Sequence, residues 1–187
     1  TMQHEKITAD SVIMCTGGLS YSSTGSDGNG HKLLHELGHT LTDTKPALVP
    51  LTTKEEFYKD LQGLSLKNVR VNLFNEVLNS EKIRAVADGA RLKKSIVFSG
   101  FGEMLFTHFG ISGPLILSAS SFYSKKVYGK QVTLLIDLKP ALTVEQLDKR
   151  IVRDFDNAMN KSLKNALSGL LPSGIIDTII VQSLLDA

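Results

Sequence analysis

Ten of the 15 glycines fall in two short stretches, six between Gly17 and Gly38 and four between Gly100 and Gly113. Glycine lets the backbone turn through positive φ and approach other groups closely, so such clusters mark where regular structure is interrupted. The aromatic residues are uneven too. Seven of twelve lie between Phe98 and Tyr128, and only Phe155 lies beyond residue 129. The chain therefore reads as three unlike segments, 1–46, 47–139 and 140–187.

In the first, Ser11-Val12-Ile13-Met14-Cys15 is a short apolar run that meets Gly17-Gly18. A continuous apolar run ending in glycine predicts a buried strand of a parallel or mixed sheet. The loop from Gly17 to Gly30 is almost wholly Gly, Ser, Thr, Asp and Asn, with Tyr21 as its large residue. His31 to Leu37 then predicts a short helix, with Leu33, Leu34 and Leu37 on one face and Gly38 as its C′ residue. Strand, glycine loop and helix N-terminus together suit phosphates and other anions. The spacing is not the ordered glycine fingerprint of a dinucleotide turn, so ligand binding and a long surface turn both stay open.

His35-Glu36-Leu37-Gly38-His39 also matches the H-E-x-x-H pattern of zinc peptidases. That chemistry needs both histidines on one helix face, a third ligand, and Glu36 as general base. Thr42 and Lys45 stand where an extended motif would place further ligands, and Glu55 and Glu56 do not form a recognisable second helix motif. The helix is expected to end at Gly38, which leaves His39 off its face. The zinc-peptidase reading remains as the alternative.

The middle segment predicts strands at Ala47–Thr52, Val69–Phe74, Ser95–Ser99 and Gln131–Asp137, with a short helix over Phe57–Leu61. Val69, Val71 and Leu73 alternate with Arg70 and Asn72, the period of a half-buried strand. Ser112-Gly113-Pro114 predicts a helix start, with Pro114 preset for the first helical position. The run Gly100 to Pro114 is apolar or glycine except for Glu103, Thr107, His108 and Ser112, and reads as a candidate substrate-facing wall.

In the last segment Thr143 and Gln146 form a capping box. Val144, Leu147, Ile151, Phe155 and Met159 then recur at helical steps and are expected in the core. A second helix is expected over Leu163–Leu171, stopped by Pro172, and a third after Ser173 carrying Ile176, Ile179, Ile180 and Leu184. The ending at Ala187, without cap or polar tail, reads as cut.

The totals narrow the classes. At 187 residues the chain makes one domain or two small ones. Twenty-one Lys and Arg against 19 Asp and Glu give +2, too little for a chain basic overall, so no nucleic-acid partner is expected. Cys15 is the one cysteine, which excludes an internal disulfide and multi-cysteine metal sites and points to a reducing compartment. No apolar run approaches a membrane span and the first residues have no signal-peptide core, so a cytoplasmic protein without a membrane partner is expected.

Taken together, Val12 to Tyr21, Thr24 to Gly30, Glu36 to His39, Pro46 to Leu51, Gly63 to Val69, Gly102 to Pro114, Leu163 to Leu167 and Leu170 to Pro172 form ordered blocks. They resemble the bacterial NAD(P)/FAD-dependent oxidoreductases, the family of the aminoacetone oxidase and 3-dehydro-bile-acid reductase flavoproteins. The resemblance implies an α+β fold: a remnant of an FAD-binding domain (1–46), a small mixed or barrel-like β insert (47–139) and a helical subdomain (140–187). It implies FAD as cofactor in a longer parent, NAD(P)H as reductant, a small-molecule substrate, and the rest of the FAD domain as partner.

By the same resemblance the cofactor would lie against Thr16, Gly17, Gly18, Ser20 and Tyr21, and against Thr24, Gly25, Gly28, Asn29 and Gly30. Glu103, Thr107, His108, Ser112 and Gly113 would face substrate, with no metal and no assigned acid or base. Two departures stand out. Asn29 and His31 occupy positions where the family carries Asp and Tyr, and the G-x-G-x-x-G turn that grips the pyrophosphate occurs nowhere in the chain. An internal fragment that binds FAD weakly or not at all is expected. A non-catalytic interaction module, using the aromatic-rich middle, is the other reading, and burial of Phe101, Phe106 and Phe109 would count against it.

Overall fold

The computed structural model describes residues 6–89 and 94–185. It divides into two compact units, Thr1–Thr44 and Lys45–Ala187.

The first unit holds a 3₁₀ turn at Ser22–Thr24 and helix α1, Asn29–Glu36. The helix starts two residues earlier than the leucine spacing predicts, and closes as expected. Gly38 sits at φ +91°. Its N–H donates to the carbonyl of His35, and that of His39 to the carbonyl of Leu34, both at 3.0 Å. These are the two bonds of a Schellman stop. The strand expected at Ser11–Cys15 is absent among the described residues. A strand needs a partner ladder, and no described segment of this unit is in strand form. Val12 and Ile13 are consequently 76% and 87% exposed.

The second unit is built on an open, curled sheet of five strands in the order β1-β4-β3-β2-β5, antiparallel at every pairing. The strands are β1 Leu51–Thr52, β2 Ser65–Phe74, β3 Ile96–Thr107, β4 Gly110–Ser112 and β5 Leu134–Asp137. This is an α+β fold, and of the mixed and barrel-like arrangements expected it is the barrel-like one. The Ala47–Thr52 strand shrinks to its last two residues. Pro50 offers no donor to a ladder, and Leu48 lies at φ +54°, outside strand geometry. The Phe57–Leu61 helix is one 3₁₀ turn, Phe57–Lys59.

β2 buries Leu66, Val69, Val71 and Leu73, with a bulge around Asn68 (φ +57°) that keeps the inward set in phase. β3 runs straight through Gly100 and Gly102, which the glycine pattern had set apart as a wall. From Phe98 onward its even-numbered residues face the core, while Val97, beside a register shift, is buried too. At Gly100 an added Cβ would stand 2.7 Å from Leu115 Cδ1, so this glycine lets helix α3 (Pro114–Lys126) lie close on the sheet. Pro114 is at the start of α3 as expected. Ser120, buried on α3, accepts from the Val49 N–H at 2.9 Å and ties down the segment before β1.

Helix α2, Ser80–Ala87, was not anticipated; Asn79 caps it, its side chain accepting from the Lys82 N–H at 3.0 Å. Beneath it the Glu76 carboxylate accepts from Lys82 Nζ at 2.7 Å and from Ser95 Oγ at 2.8 Å. The bond from Lys82, then that from Ser95, holds the Glu76 carboxyl below its usual 4.5. A carboxyl depressed in the folded state adds stability above its unfolded pKa and loses it as pH falls through the folded value. Glu76→Gln is therefore expected to lower the urea midpoint at pH 7, and the gap to the parent is expected to narrow as pH falls through the depressed folded-state value. A gap that persists unchanged at pH 3 would assign the effect to something other than this charge.

The remaining helices are α4 Val144–Asp156, α5 Leu163–Leu167 and α6 Ser173–Leu185. The Thr143–Gln146 capping box forms reciprocally. The expected core stripe of α4 does not. No α4 residue is buried, Val144 and Phe155 are 52% and 39% exposed, and Met159 beyond its end is 84% exposed. The inner sheet face is filled instead by Leu115 and Ile116 of α3 and Ile175 of α6. The second helix is five residues, not nine, and turns before Pro172. In α6 Ile176 is buried as expected, while the side chain of Leu184 lies outside the described residues. No helix is long and apolar enough to cross a membrane among the described residues.

Candidate functional site

Of the residues expected to face the cofactor, Gly17, Gly28 and Gly30 sit where the loop from Thr16 to Gly30 folds back on itself, while an added Cβ on Gly25 would meet nothing within 4 Å. A Cβ on Gly17 would stand 3.0 Å from Ser26 Oγ, and one on Gly28 (φ +82°) 2.5 Å from Leu19 Cδ2. Gly30 is buried against the side chain of Thr16. Substitution would pry the loop from the start of α1.

Tyr21, at φ +56° and 83% exposed, begins the 3₁₀ turn; its carbonyl accepts from both the N–H and the hydroxyl of Thr24. Asp27 Oδ1 accepts from the Asn29 N–H at 3.0 Å and Oδ2 from Asn29 Nδ2 at 2.6 Å. A carboxylate thus stands two residues before Asn29 and is bound to it. A cleft of about 580 Å³ opens beside α1, lined by Leu19, Asp27, Gly28, His31, Lys32 and the segment Thr40–Thr44. Sequence reasoning missed that last segment, which the sequence marks only by three threonines in alternation, Thr40, Thr42 and Thr44.

The zinc arrangement does not form in this geometry. His35 lies in the last turn of α1, whereas His39 follows the left-handed Gly38, so the two are not on one helical face. No cluster of three or more His, Cys, Asp or Glu suited to a metal ion occurs among the described residues.

In the second unit β3 and β4 pair Leu105 with Ser112 and Thr107 with Gly110. Glu103, Leu105 and Thr107 therefore share one face of β3 by the two-residue period, with Ser112 opposite Leu105. Glu103 is exposed, and the Thr107 Oγ1 is buried without a hydrogen-bond partner. His108 is exposed in the turn, its ring edge-on to Phe109 at 4.7 Å, outside that row. Gly113, at φ +95°, precedes α3, where a Cβ would stand 3.0 Å from Met104 Cα. Of the three phenylalanines that bear on an interaction surface, Phe106 is core at 3% exposure, while Phe101 and Phe109 are 60% and 37% exposed.

Residues 45–187 match the model of the HI0933-like protein barrel and H2TH domain, the same span as the second compact unit. The chain belongs to the HI0933-like family. Over 96% of its length it is 28% identical to the 3-dehydro-bile acid delta(4,6)-reductase of Clostridium scindens, covering 40% of that protein. It is also 28% identical to the ribosomal RNA dihydrouridine synthases of Escherichia coli and Haemophilus influenzae, over 92% of this chain and 36% of each. The chain thus spans about two-fifths of the length of these relatives, one of which is a reductase by name.

Proposed function

We propose that this chain is part of a flavin-dependent reductase that saturates a carbon–carbon double bond conjugated to a carbonyl. What supports the reading is the chemistry common to the names of its relatives. A Δ4,6 bile acid with a 3-keto group and a uracil ring each offer an alkene next to a carbonyl. Both proteins align with nearly the whole of this chain. When bound, a reduced flavin would supply hydride to the β carbon, a proton would reach the α carbon from a protein group or water, and NAD(P)H would restore the flavin.

The residues of the first unit suit the flavin and ribityl portions of FAD better than its pyrophosphate. The cleft beside α1 offers threonine hydroxyls, Leu19 and glycine backbone, but Asp27 and Asp43 line it too, outnumbering Lys32. Two carboxylates oppose a diphosphate, and no G-x-G-x-x-G turn is present to grip one. In this reading Gly17, Gly28 and Gly30 hold the loop closed so that its backbone can meet a flat ring, and Thr24 fixes the turn at Tyr21. The Glu103–Thr107 row of β3, with Ser112, is proposed to face substrate, the exposed Glu103 standing outermost.

The test is purification of the full-length protein that contains this chain. It is expected to be yellow, to release FAD on denaturation, and to oxidise NAD(P)H only when a conjugated enone is supplied. The 187-residue chain alone is expected to quench free flavin fluorescence without saturating. A colourless full-length protein, or one whose NAD(P)H oxidation ignores the enone, would overturn the proposal.

A further inference from the structure

The residues that fill the inner sheet face leave a pocket of about 180 Å³ between the sheet and α6. Its walls include Leu66 of β2, Phe106 of β3 and Ile136 of β5, with Phe57 of the 3₁₀ turn and Ile179 of α6. No charged residue lines it. The side chains there that can hydrogen-bond, the Thr178 hydroxyl and the Gln182 amide, stand one turn apart on the same stripe of α6. Along that stripe Ile175 is buried, Ile179 half-buried and Gln182 exposed. The pocket is therefore closed at the first turn of α6 and opens at Gln182. Neighbouring polar groups on α6 are engaged, Asp177 with Lys164 Nζ and Ser183 with the Ile180 carbonyl. The Thr178 and Gln182 side chains have no hydrogen-bond partner among the described residues.

Water suits this space poorly. The volume would take about six molecules at bulk density, each needing two to four polar partners, and two side chains at one end cannot supply them. Left empty, the walls forfeit the contacts that a packed interior makes. A packing defect would explain apolar walls, but not an unpartnered hydroxyl and amide side by side at the opening. We propose that the pocket binds a small neutral molecule, with an apolar body the size of a six-membered ring on the walls and one oxygen at Thr178 and Gln182. An apolar cavity of about 150 Å³ holds benzene, which sets the size. A carboxylate or phosphate would lose its water with no cation to meet it, and a pyrimidine would bring several polar groups to walls that cannot bond them. A four-ring body needs more room, since pockets for larger ligands begin near about 300 Å³. The site is separate from the row proposed to face substrate: Phe106 lies on the inner sheet face, Glu103 on the other.

The experiment is titration of the isotope-labelled 187-residue chain with phenol and with benzene, followed by amide NMR shifts. Phenol is expected to saturate with a Kd of about 0.1–1 mM, the range open to a ligand of so few non-hydrogen atoms. The amides that shift should be those around Phe106, Ile136 and Ile179. Benzene should saturate too, and benzoate should not bind. Thr178→Val with Gln182→Leu keeps nearly the same volume and removes the polar pair. It should weaken phenol about tenfold or more, because the buried hydroxyl loses its partners, and change benzene less than about twofold. Retained benzene binding also reports that this variant is folded. Ile179→Trp should fill the pocket and abolish both ligands, with its amide spectrum reporting the fold. The proposal is overturned if neither ligand saturates, or if benzene binds and phenol does not. It is overturned as well if the double variant leaves phenol unaffected, if phenol still shifts the same amides in Ile179→Trp, or if benzoate binds as tightly as phenol.

Discussion

Gly110→Ala is expected to lower the stability of the second unit by about 3 kcal/mol or more, seen as a fall of roughly 10 °C in a thermal melt followed by circular dichroism. Gly110 lies at φ +147°, where side chains are strained. It also pairs with Thr52 across the β1–β4 ladder. An added Cβ would meet the Leu51 carbonyl, Thr52 Cα at 2.9 Å and Thr53 N at 3.1 Å, all of them backbone. No rotamer change relieves such a clash, so β1 must separate from β4. Gly129 is the control. It too has positive φ, at +78°, but an added Cβ finds nothing within 4 Å. Gly129→Ala should cost only the conformational strain, about 1 kcal/mol. Equal losses in the two variants would mean that strain alone, not the β1–β4 approach, makes Gly110 necessary.

That contrast also explains what the sequence makes legible. Signals that act within a few residues were readable: the Gly38 stop, Pro114 at the head of α3, the Thr143–Gln146 box. Their bonds close inside one turn, so nothing distant can override them. Features that depend on a remote partner were not. Ser11–Cys15 has strand composition, but composition cannot supply a neighbouring strand. The α4 stripe has core periodicity, yet α3 and α6 already fill the inner sheet face, and the stripe stays half-buried at Leu147 and Ile151 with no residue in the core. Gly100 looked like a break because the need for a close-packed α3 above it is invisible along the chain. α2 was legible and passed over: Asn79 followed by Ser80-Glu81 is an ordinary start signal.

The candidate site divides the same way. The glycine loop announced itself by density, and the structure gives each of Gly17, Gly28 and Gly30 a specific neighbour. The Asp27–Asn29 pairing was out of reach, because it turns on which way two side chains point. So was the row of Glu103, Thr107 and Ser112, which depends on the β3–β4 register. His108 was grouped with them by proximity in sequence, and a tight turn takes it out of the row.

Phe106→Ala against Phe155→Ala measures the placement of the core directly. Phe106 is 3% exposed and packs with Leu61, Leu66 and Met104 on the inner sheet face. Its N–H donates to the Leu64 carbonyl, and its carbonyl accepts from the Gly63 N–H, both at 3.0 Å, so the backbone cannot shift to refill the space. It also borders an apolar cleft of about 180 Å³ with Phe57 and Ile179, and truncation would enlarge that void rather than create a small collapsible one. The expected loss is about 3–5 kcal/mol in urea unfolding. Phe155 has the same side chain, but at 39% exposure on a helix with no buried residue it should lose about 1 kcal/mol or less. Equal losses would return the α4 stripe to the core and displace the sheet, α3 and α6 as its location. A domain stability of about 5–15 kcal/mol makes the difference decisive: Phe106→Ala should leave a substantial unfolded population in mild denaturant, and Phe155→Ala should not.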